Sequence, residues 1–276
     1  SPLQLYCSSL IFSPLQSITR KRYQNESPSW VLNEPVADNH WSPCLQTLEG
    51  HCHQVNSIDW SKDRSRLASA SSDNTVRIWD PTTGQCTSTL EGHSSSVNSI
   101  TWSPGGGRLA SASHDKTVKI WDPTTGQCAS TLEGHSKSVI AIAWSQDGSR
   151  LASMSEDKTA KIWDLATSRC IFTVEKFHSE GYGGPVTWIT WSQDGSRLAS
   201  ASRDSIVRIW DPVTGQCILH LEGHSASVSS VSWSQDGRQL ASASADKTVR
   251  IWDPATGHSA SILKGHSDEV MSIVWS

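Results

Sequence analysis

The sequence lacks the features that point most directly to a nucleic acid or a membrane. Its 276 residues contain 23 Lys and Arg against 27 Asp and Glu, a net charge of −4. No surplus of positive charge is therefore available to neutralise a phosphate backbone. No apolar run reaches the roughly 18 to 20 residues that a membrane-spanning helix needs. We expect a folded chain that binds no nucleic acid and inserts into no membrane.

A disulfide pattern is also missing, although the sequence contains 7 cysteines. Five of them hold one equivalent position in successive repeats: Cys44, Cys86, Cys128, Cys170 and Cys217. Equivalent positions in stacked sheets lie about 10 Å apart, beyond the roughly 7 Å between Cα atoms that a disulfide can bridge. We expect reduced thiols in a cytoplasmic protein. Because the chain also lacks an initiator methionine and a secretory signal, and ends inside the repeat pattern, we expect a fragment of a longer protein.

Residue groups for metal or nucleotide chemistry are absent as well. The 11 histidines are spread along the chain by the repeat, with no His or Cys pair at zinc-binding spacing. No glycine-rich loop opens a helix, as a phosphate-binding loop would, since the glycines from Gly105 to Gly107 fall in a predicted hairpin turn. We expect no metal, no cofactor and no enzymatic activity.

The sequence is dominated instead by an internal repeat of about 42 residues. A histidine, usually after glycine, recurs at His51, His93, His135, His178, His224 and His266. A Trp-Asp pair ends a later run in each unit, with the tryptophans at Trp79, Trp121, Trp163, Trp210 and Trp252. Between these marks lie short β-type runs such as VNSITW and RLASAS, separated by turn sequences such as Gln-Asp-Gly. Each unit is predicted to form a four-stranded sheet.

The order GH, LASAS-x-D and WD at this period resembles WD40 repeats over residues 44–276. The resemblance implies an all-β fold, a WD40 β-propeller whose four-stranded blades surround a central channel. We expect six blades, five complete and one shared by the two chain ends, with residues 1–43 as a junction segment. Val270 to Trp275 would supply the innermost strand of the sixth blade and Cys44 to Leu48 its outermost strand. Leu3 to Ser13 and the segment 17–36 would supply its middle strands or cover the gap.

Serine, histidine and aspartate, the residue types of a hydrolase triad, recur in every unit. In WD40 repeats the histidine, a strand Ser or Thr, the turn Asp and the Trp form a buried hydrogen-bonded network, which the resemblance implies here with Ser111 or Ser113 as the hydroxyl of the second unit. An active site is normally singular, whereas this set recurs in five units, so we interpret it as structural. The implied network residues are His51, Asp73, Trp79, His93, Asp115, Trp121, His135, Asp157, Trp163, His178, Asp204, Trp210, His224, Asp246 and Trp252.

A second set of positions varies between units at what should be one rim of the blades. Turns at the opposite ends, such as DPTTGQC, are equally exposed in this reading and almost invariant. Variation confined to one rim favours recognition of a protein or other macromolecule, because a rigid scaffold commonly presents binding residues on loops. Unrestrained drift of exposed positions is the alternative. The expected partner-binding residues are Asn56, Ser72, Asn98, His114, Lys116, Lys137, Ile140, Glu156, Lys158, Arg203, Ser229, Ala245, Lys247 and Met271.

The junction wording, PLQLYCSSLIFSP followed by SPSW and WSPCLQTLEGH, resembles the segment that leads into the repeats of fungal NACHT-WD40 proteins, which are NLR-like signalling proteins that include heterokaryon-incompatibility proteins. This resemblance implies a ligand-sensing domain in a protein whose other part carries a nucleotide-dependent switch. The alternative is a constitutive scaffold, for example in mitochondrial-fission or ubiquitin-ligase assemblies, since one fold serves many functions.

Overall fold

A computed structural model describes residues 46–174 and 186–275. The chain divides into two compact units, Ser1–Thr47 and Leu48–Ser276, and nearly all described residues belong to the second unit. The described residues contain strands, turns and irregular segments but no helix, and so none that could cross a membrane. The predicted junction segment 1–43, together with Leu3 to Ser13 and the segment 17–36, lies outside the described residues.

The second unit contains five antiparallel four-stranded sheets, each formed by four consecutive strands in sequence order. We number them blades 1 to 5. Blade 1 contains β1 (Val55–Trp60), β2 (Leu67–Ser71), β3 (Val76–Trp79) and β4 (Cys86–Leu90). Blade 2 contains β5 (Val97–Trp102), β6 (Leu109–Ser113), β7 (Val118–Trp121) and β8 (Cys128–Leu132). Blade 3 contains β9 (Val139–Trp144), β10 (Arg150–Ser155), β11 (Ala160–Asp164) and β12 (Arg169–Val174).

The last two sheets follow the same order. Blade 4 contains β13 (Val186–Trp191), β14 (Leu198–Ser202), β15 (Val207–Trp210) and β16 (Cys217–Leu221). Blade 5 contains β17 (Val228–Trp233), β18 (Leu240–Ser244), β19 (Val249–Trp252) and β20 (Ser259–Leu263). The sequence prediction of an all-β fold built from four-stranded repeats is confirmed, and successive sheets pack on one another as β-propeller blades do.

The second strand of each blade is buried along its length, apart from the partly exposed Arg150 that begins β10, because it lies inside the sheet and both of its faces are covered. Its LASAS sequence suits this place, since the small Ala and Ser side chains allow neighbouring sheets to approach closely. The first strand is half-buried instead. In β5, Val97, Ile100 and Trp102 are buried while the residues between them are partly exposed.

Each core lies between two consecutive blades. Between blades 1 and 2, the alanines of β2 and the Val-x-Ile of β3 pack against the buried Val, Ile and Trp of β5. The indole of Trp102 also donates a 3.1 Å hydrogen bond to the carbonyl of Asp59 in the preceding blade. Trp144 and Trp191 donate in the same way to the carbonyls of Thr101 and Ala143. Apolar burial therefore joins the blades, and an indole hydrogen bond is added at the junctions between blades 1 and 2, 2 and 3, and 3 and 4.

The two end blades leave apolar surface exposed. Val55, Ile58 and Trp60 of β1 are 45%, 61% and 47% exposed, whereas the equivalent residues of β5 are at most 5% exposed. At the other end Leu263 is 53% exposed. The described residues thus include five blades that cover one another only at their four internal junctions.

The expected sixth blade is not formed by the described residues. Residues 46–48 and Val270 to Trp275 lie in no strand, so the prediction of strands there is wrong for the part that the structure describes. The segment from Val270 nevertheless follows blade 5 as a first strand would, because Trp275 donates its indole N–H to the carbonyl of Ser232 at 3.0 Å. Among the described residues no strand pairs with this segment, which has the position of a first strand but joins no ladder there.

Candidate functional site

A four-membered hydrogen-bonded set, which we call the quartet, lies inside blade 2. The imidazole of His93 contacts Asp115 through Nδ1 at 2.7 Å and Ser111 through Nε2 at 2.7 Å. The indole of Trp121 donates to the same serine oxygen at 2.7 Å. The sequence left Ser111 and Ser113 open, and the structure places Ser111 in the quartet. Ser113 lies in the turn instead, where its hydroxyl donates to the carbonyl of Ser95 and accepts from the backbone of Asp115.

The hydrogen bonds of the quartet form one directional chain. Trp121 can only donate, so Ser111 accepts from it and gives its own hydrogen to Nε2 of His93. A neutral imidazole that accepts at Nε2 carries its hydrogen on Nδ1, and it donates this hydrogen to Asp115. Every polar group of the quartet is thereby satisfied only if the histidine is neutral. Protonation would leave the serine hydroxyl without its acceptor.

The same quartet is present in three other blades. His51, Ser69, Asp73 and Trp79 form it in blade 1, His135, Ser153, Asp157 and Trp163 in blade 3, and His224, Ser242, Asp246 and Trp252 in blade 5. A threonine two residues after each aspartate donates to it through both its amide and its hydroxyl, as Thr117 does to Asp115 at 3.0 and 2.7 Å. Each carboxylate is therefore held by several donors.

Blade 4 departs from this pattern. The carboxylate of Asp204 is paired with Arg208, whose guanidinium donates to its two oxygens at 2.7 and 3.2 Å. His178, the expected partner, lies outside the described residues. In the described residues Asp204 thus forms an ion pair with Arg208, whose side chain is only 4% exposed, and the place of His178 in the network stays a prediction. Trp210 still donates to Ser200 at 2.9 Å.

A signal for this departure exists in the sequence but was missed. Ile206 replaces the threonine that follows the aspartate in the other four blades, and isoleucine has no hydroxyl to donate. The cation at position 208 does not itself indicate the ion pair, because the other blades also carry Arg or Lys at the equivalent position, as Arg77 and Lys119 do. Only the lost hydroxyl shows that Asp204 needs another donor.

Burial and hydrogen bonding shift the ionisation of the quartets. Desolvation lowers the pKa of His93, His135 and His224 below the ordinary value, and it outweighs the nearby carboxylates, which act in the opposite direction. For Asp157, burial alone would raise the pKa, but hydrogen bonds, the strongest from Thr159, outweigh it and lower the pKa to about 2. At neutral pH the quartets of blades 2, 3 and 5 therefore combine a neutral imidazole with an ionised carboxylate.

These shifts predict that the free energy of unfolding falls as the pH drops below about 6.5. An unfolded histidine takes up a proton near pH 6.5, whereas the folded quartet resists it, so between the two pKa values the unfolded state binds more protons. The quartet aspartates, whose folded pKa values are lowered, add a further loss as the pH falls below about 3.9, their unfolded pKa. Urea unfolding at pH 7.5 and pH 5.5 measures the first stage.

A variant with three exposed histidines outside the quartets replaced, His53→Gln, His220→Gln and His258→Gln, is the control and should lose stability to the same extent. Stability that is flat or rises between pH 7.5 and pH 5.5 would contradict the neutral state of the quartet histidines.

The quartets are poorly placed for catalysis. Ser111, Ser153 and Ser242 are 0% exposed, so a substrate cannot approach the hydroxyl oxygen that a nucleophile would use. Each of these oxygens already accepts an indole N–H and contacts a histidine. Among the described residues, no group of three or more His, Cys, Asp or Glu could hold a metal ion.

All the residues expected to bind a partner lie at one end of the blades, which we call the variable end. There the first strand begins, the second ends and the third begins, as the antiparallel order requires. Exposed members are Asn56, His114, Lys116, Lys137, Glu156, Lys158, Arg203, Lys247 and Met271. Partly exposed members are Ser72, Asn98, Ile140, Ser229 and Ala245.

Those of these residues that hold the second position of the first strand and can donate have a structural contact that the sequence did not reveal. Asn56 donates to the carbonyl of Val97 in the next blade at 2.8 Å, and Asn98 donates to Val139 in the same way. Ser229 likewise donates to the carbonyl of Val270. The second position of the first strand is therefore a contact between blades as well as a variable position. Ile140 holds that position in blade 3 but has no group that can donate.

A family model described as "WD domain, G-beta repeat" matches residues 42–80, 84–122, 126–164, 169–211 and 215–253. The chain is 47% identical over 84 residues to the Vegetative incompatibility protein HET-E-1 of Podospora anserina, a match that covers 30% of this chain and 6% of that protein. It is 43% identical over 42 residues to a Guanine nucleotide-binding protein subunit beta of Arabidopsis thaliana, covering 15% and 11%. It is 45% identical over 49 residues to the Nuclear distribution protein nudF of Aspergillus flavus, covering 16% and 11%. The matches thus span about a tenth or less of these relatives.

Proposed function

Because the chain belongs to the family of WD40-repeat proteins, we propose that it is a non-catalytic interaction module that binds a protein partner at its variable end. One observation carries this proposal. Residues of different size and charge stand side by side at that end, on a frame whose own polar groups are occupied in the quartets. Side chains that differ from blade to blade on a rigid frame allow a protein to discriminate between partners.

Within this function, we favour the ligand-sensing domain of a fungal NLR-like signalling protein. The similarity to an incompatibility protein and the sequence of the junction segment 1–43 support this choice. A constitutive scaffold is the second candidate, supported by the similarity to a G-protein β subunit and to a nuclear distribution protein. We place either form in the cytoplasm, and the free thiols of the described cysteines are compatible with this.

The sequence of the full protein before Ser1 separates the two candidates. A Walker-type phosphate loop there supports the sensor, because a nucleotide switch needs such a loop. A coiled coil or an F-box-like helix in its place supports the scaffold and contradicts the sensor.

Replacing His114, Glu156 and Arg203 together with serine tests the binding end itself. These exposed side chains precede the turn aspartates in blades 2, 3 and 4, and each exposed substitution usually changes stability by less than about 0.5 kcal/mol. We expect a nearly unchanged melting temperature and weaker binding of the cognate partner, once recovered on the wild-type chain and purified, as measured by calorimetry.

The matched control carries Gln127→Ser, Gln146→Ser and Gln193→Ser, which alter three exposed side chains of the same blades at the opposite end. Unaltered partner binding by the first variant, or equal loss in both, would show that the variation at the variable end is drift.

A further inference from the structure

Trp188, the third residue of β13, is out of place in the repeat. The third residue of every other first strand is small: Ser57, Ser99, Ala141 and Ser230. The indole of Trp188 is large and 44% exposed, whereas Ala141 and Ser230 are 7% and 1% exposed. A tryptophan at the third position of the first strand is therefore a feature of blade 4 among the described blades.

The third position faces the next blade. Ser57 accepts the backbone N–H of Ile100 in blade 2 at 3.3 Å, and Ser230 accepts that of Ile273 at 3.5 Å. Since Trp188 holds the same place on its strand, its side chain stands on the side of β13 that faces blade 5. Unlike serine, the indole cannot accept the N–H of the next strand.

A second departure occurs in the same junction. Trp233 of β17 is buried, and its indole nitrogen has no hydrogen-bond partner. Its counterparts Trp102, Trp144 and Trp191 each donate to a carbonyl of the preceding blade. The junction between blades 4 and 5 thus lacks a contact that the three other internal junctions make, and Trp188 is the bulky residue at that junction.

Charged side chains lie at the same end of the blades as this indole. In β13, Val186 pairs with Ser202 and Trp188 with Ala201, so Arg203 lies within about two strand steps, roughly 7 Å, of the tryptophan along the strand. Among the described residues that adjoin the first three strands of blades 3 and 4 at this end, the exposed charged side chains are three cations and one anion: Lys137, Lys158, Arg203 and Glu156. The exposed Glu133 and Glu222 lie at the same end but follow outermost strands. The carboxylate of Asp157 is turned inward and held by its quartet donors.

We propose that Trp188 is the anchor of the binding surface, and that it receives a large apolar side chain from a partner segment whose flanking residues are acidic. Tryptophan is enriched among the residues that carry most of the binding energy of interfaces. Ile140, the one apolar residue at the second position of the first strands, adds apolar surface on blade 3. The cations favour carboxylates on either side of the inserted residue. This inference rests on the proposed function and specifies the partner's chemistry.

The test is a selection from displayed random dodecapeptides on the wild-type chain, with counter-selection on the Trp188→Ser variant. We expect enriched peptides with Leu, Phe or Trp flanked by Asp or Glu. A synthetic peptide of this kind should bind at least about 30-fold more weakly to Trp188→Ser, the loss that follows truncation of an anchor residue. Trp188→Phe should retain most of the affinity, and lysine in place of the acidic flanks should weaken binding about tenfold.

Trp188→Ser introduces the residue that three other blades carry at this place, so its melting temperature is the control for folding and should not fall. The proposal is overturned if no peptide depends on Trp188, or if basic flanks bind as well as acidic ones. If the variant with serine at positions 114, 156 and 203 loses the cognate partner while Trp188→Ser retains it, the anchor is wrong and the proposed function stands. If both variants retain it, both proposals fail.

Discussion

Replacing Arg208 with alanine is expected to lower the free energy of unfolding by about 3 to 5 kcal/mol, the usual cost of removing one partner of a buried ion pair. The guanidinium contacts both oxygens of Asp204, and the two side chains are only 4% and 8% exposed. Without the guanidinium, the carboxylate of Asp204 would still accept the backbone N–H of Ile206 at 3.1 Å, but among the described residues it would have no opposite charge beside it. Urea unfolding at neutral pH measures this loss.

Arg250→Ala is the matched control, because Arg250 holds the equivalent position in blade 5. There Asp246 is bonded by His224 at 2.7 Å and by Thr248, and Arg250 lies over the indole of Trp252 at 5.7 Å. Losing this contact should cost about 1 kcal/mol or less. Equal losses in the two variants would contradict the assignment of Arg208 as the replacement donor of blade 4.

Comparing blades 4 and 5 shows which features of the structure could be predicted from the sequence. A tight repeat of strand and turn residues predicted the four-stranded sheets, since the local pattern agrees with the global fold in every unit. The role of Arg208 could not be read from its residue type, because the other blades carry a cation there that does not bind an aspartate. The change from Thr to Ile206 shows the need for a new donor but does not identify it.

Contacts between blades were the other feature that the sequence could not show. Asn98 varies between repeats and lies near an exposed rim, so it was interpreted as a recognition residue. Its hydrogen bond to Val139 joins strands 41 residues apart in sequence, and no pattern within one repeat reveals a partner in the next. Trp188 was missed for a different reason. Tryptophan fits the expected strand pattern, and although the other repeats carry Ser or Ala at this position, its partial exposure is seen only in the folded blade.

Replacing Asp115 with alanine is expected to cost about 1 to 3 kcal/mol of unfolding free energy, because buried donors would lose their acceptor. The carboxylate accepts from the imidazole of His93, from the backbone of Ser94 and from both donors of Thr117. Asp115→Asn is the matched control. It keeps an oxygen acceptor of the same shape and should lose less, although its amide cannot satisfy every donor.

The central claim is that the repeated His, Ser, Asp and Trp residues hold the blades together and do not form a catalytic site. The most direct test is to measure the unfolding free energies of Asp115→Ala, Asp157→Ala and Asp246→Ala side by side in urea. Their carboxylates have equivalent donors in three blades, so we expect losses that agree within about 1 kcal/mol, all in the range of about 1 to 3 kcal/mol. One variant that keeps wild-type stability and loses a catalytic rate of the chain would contradict the account.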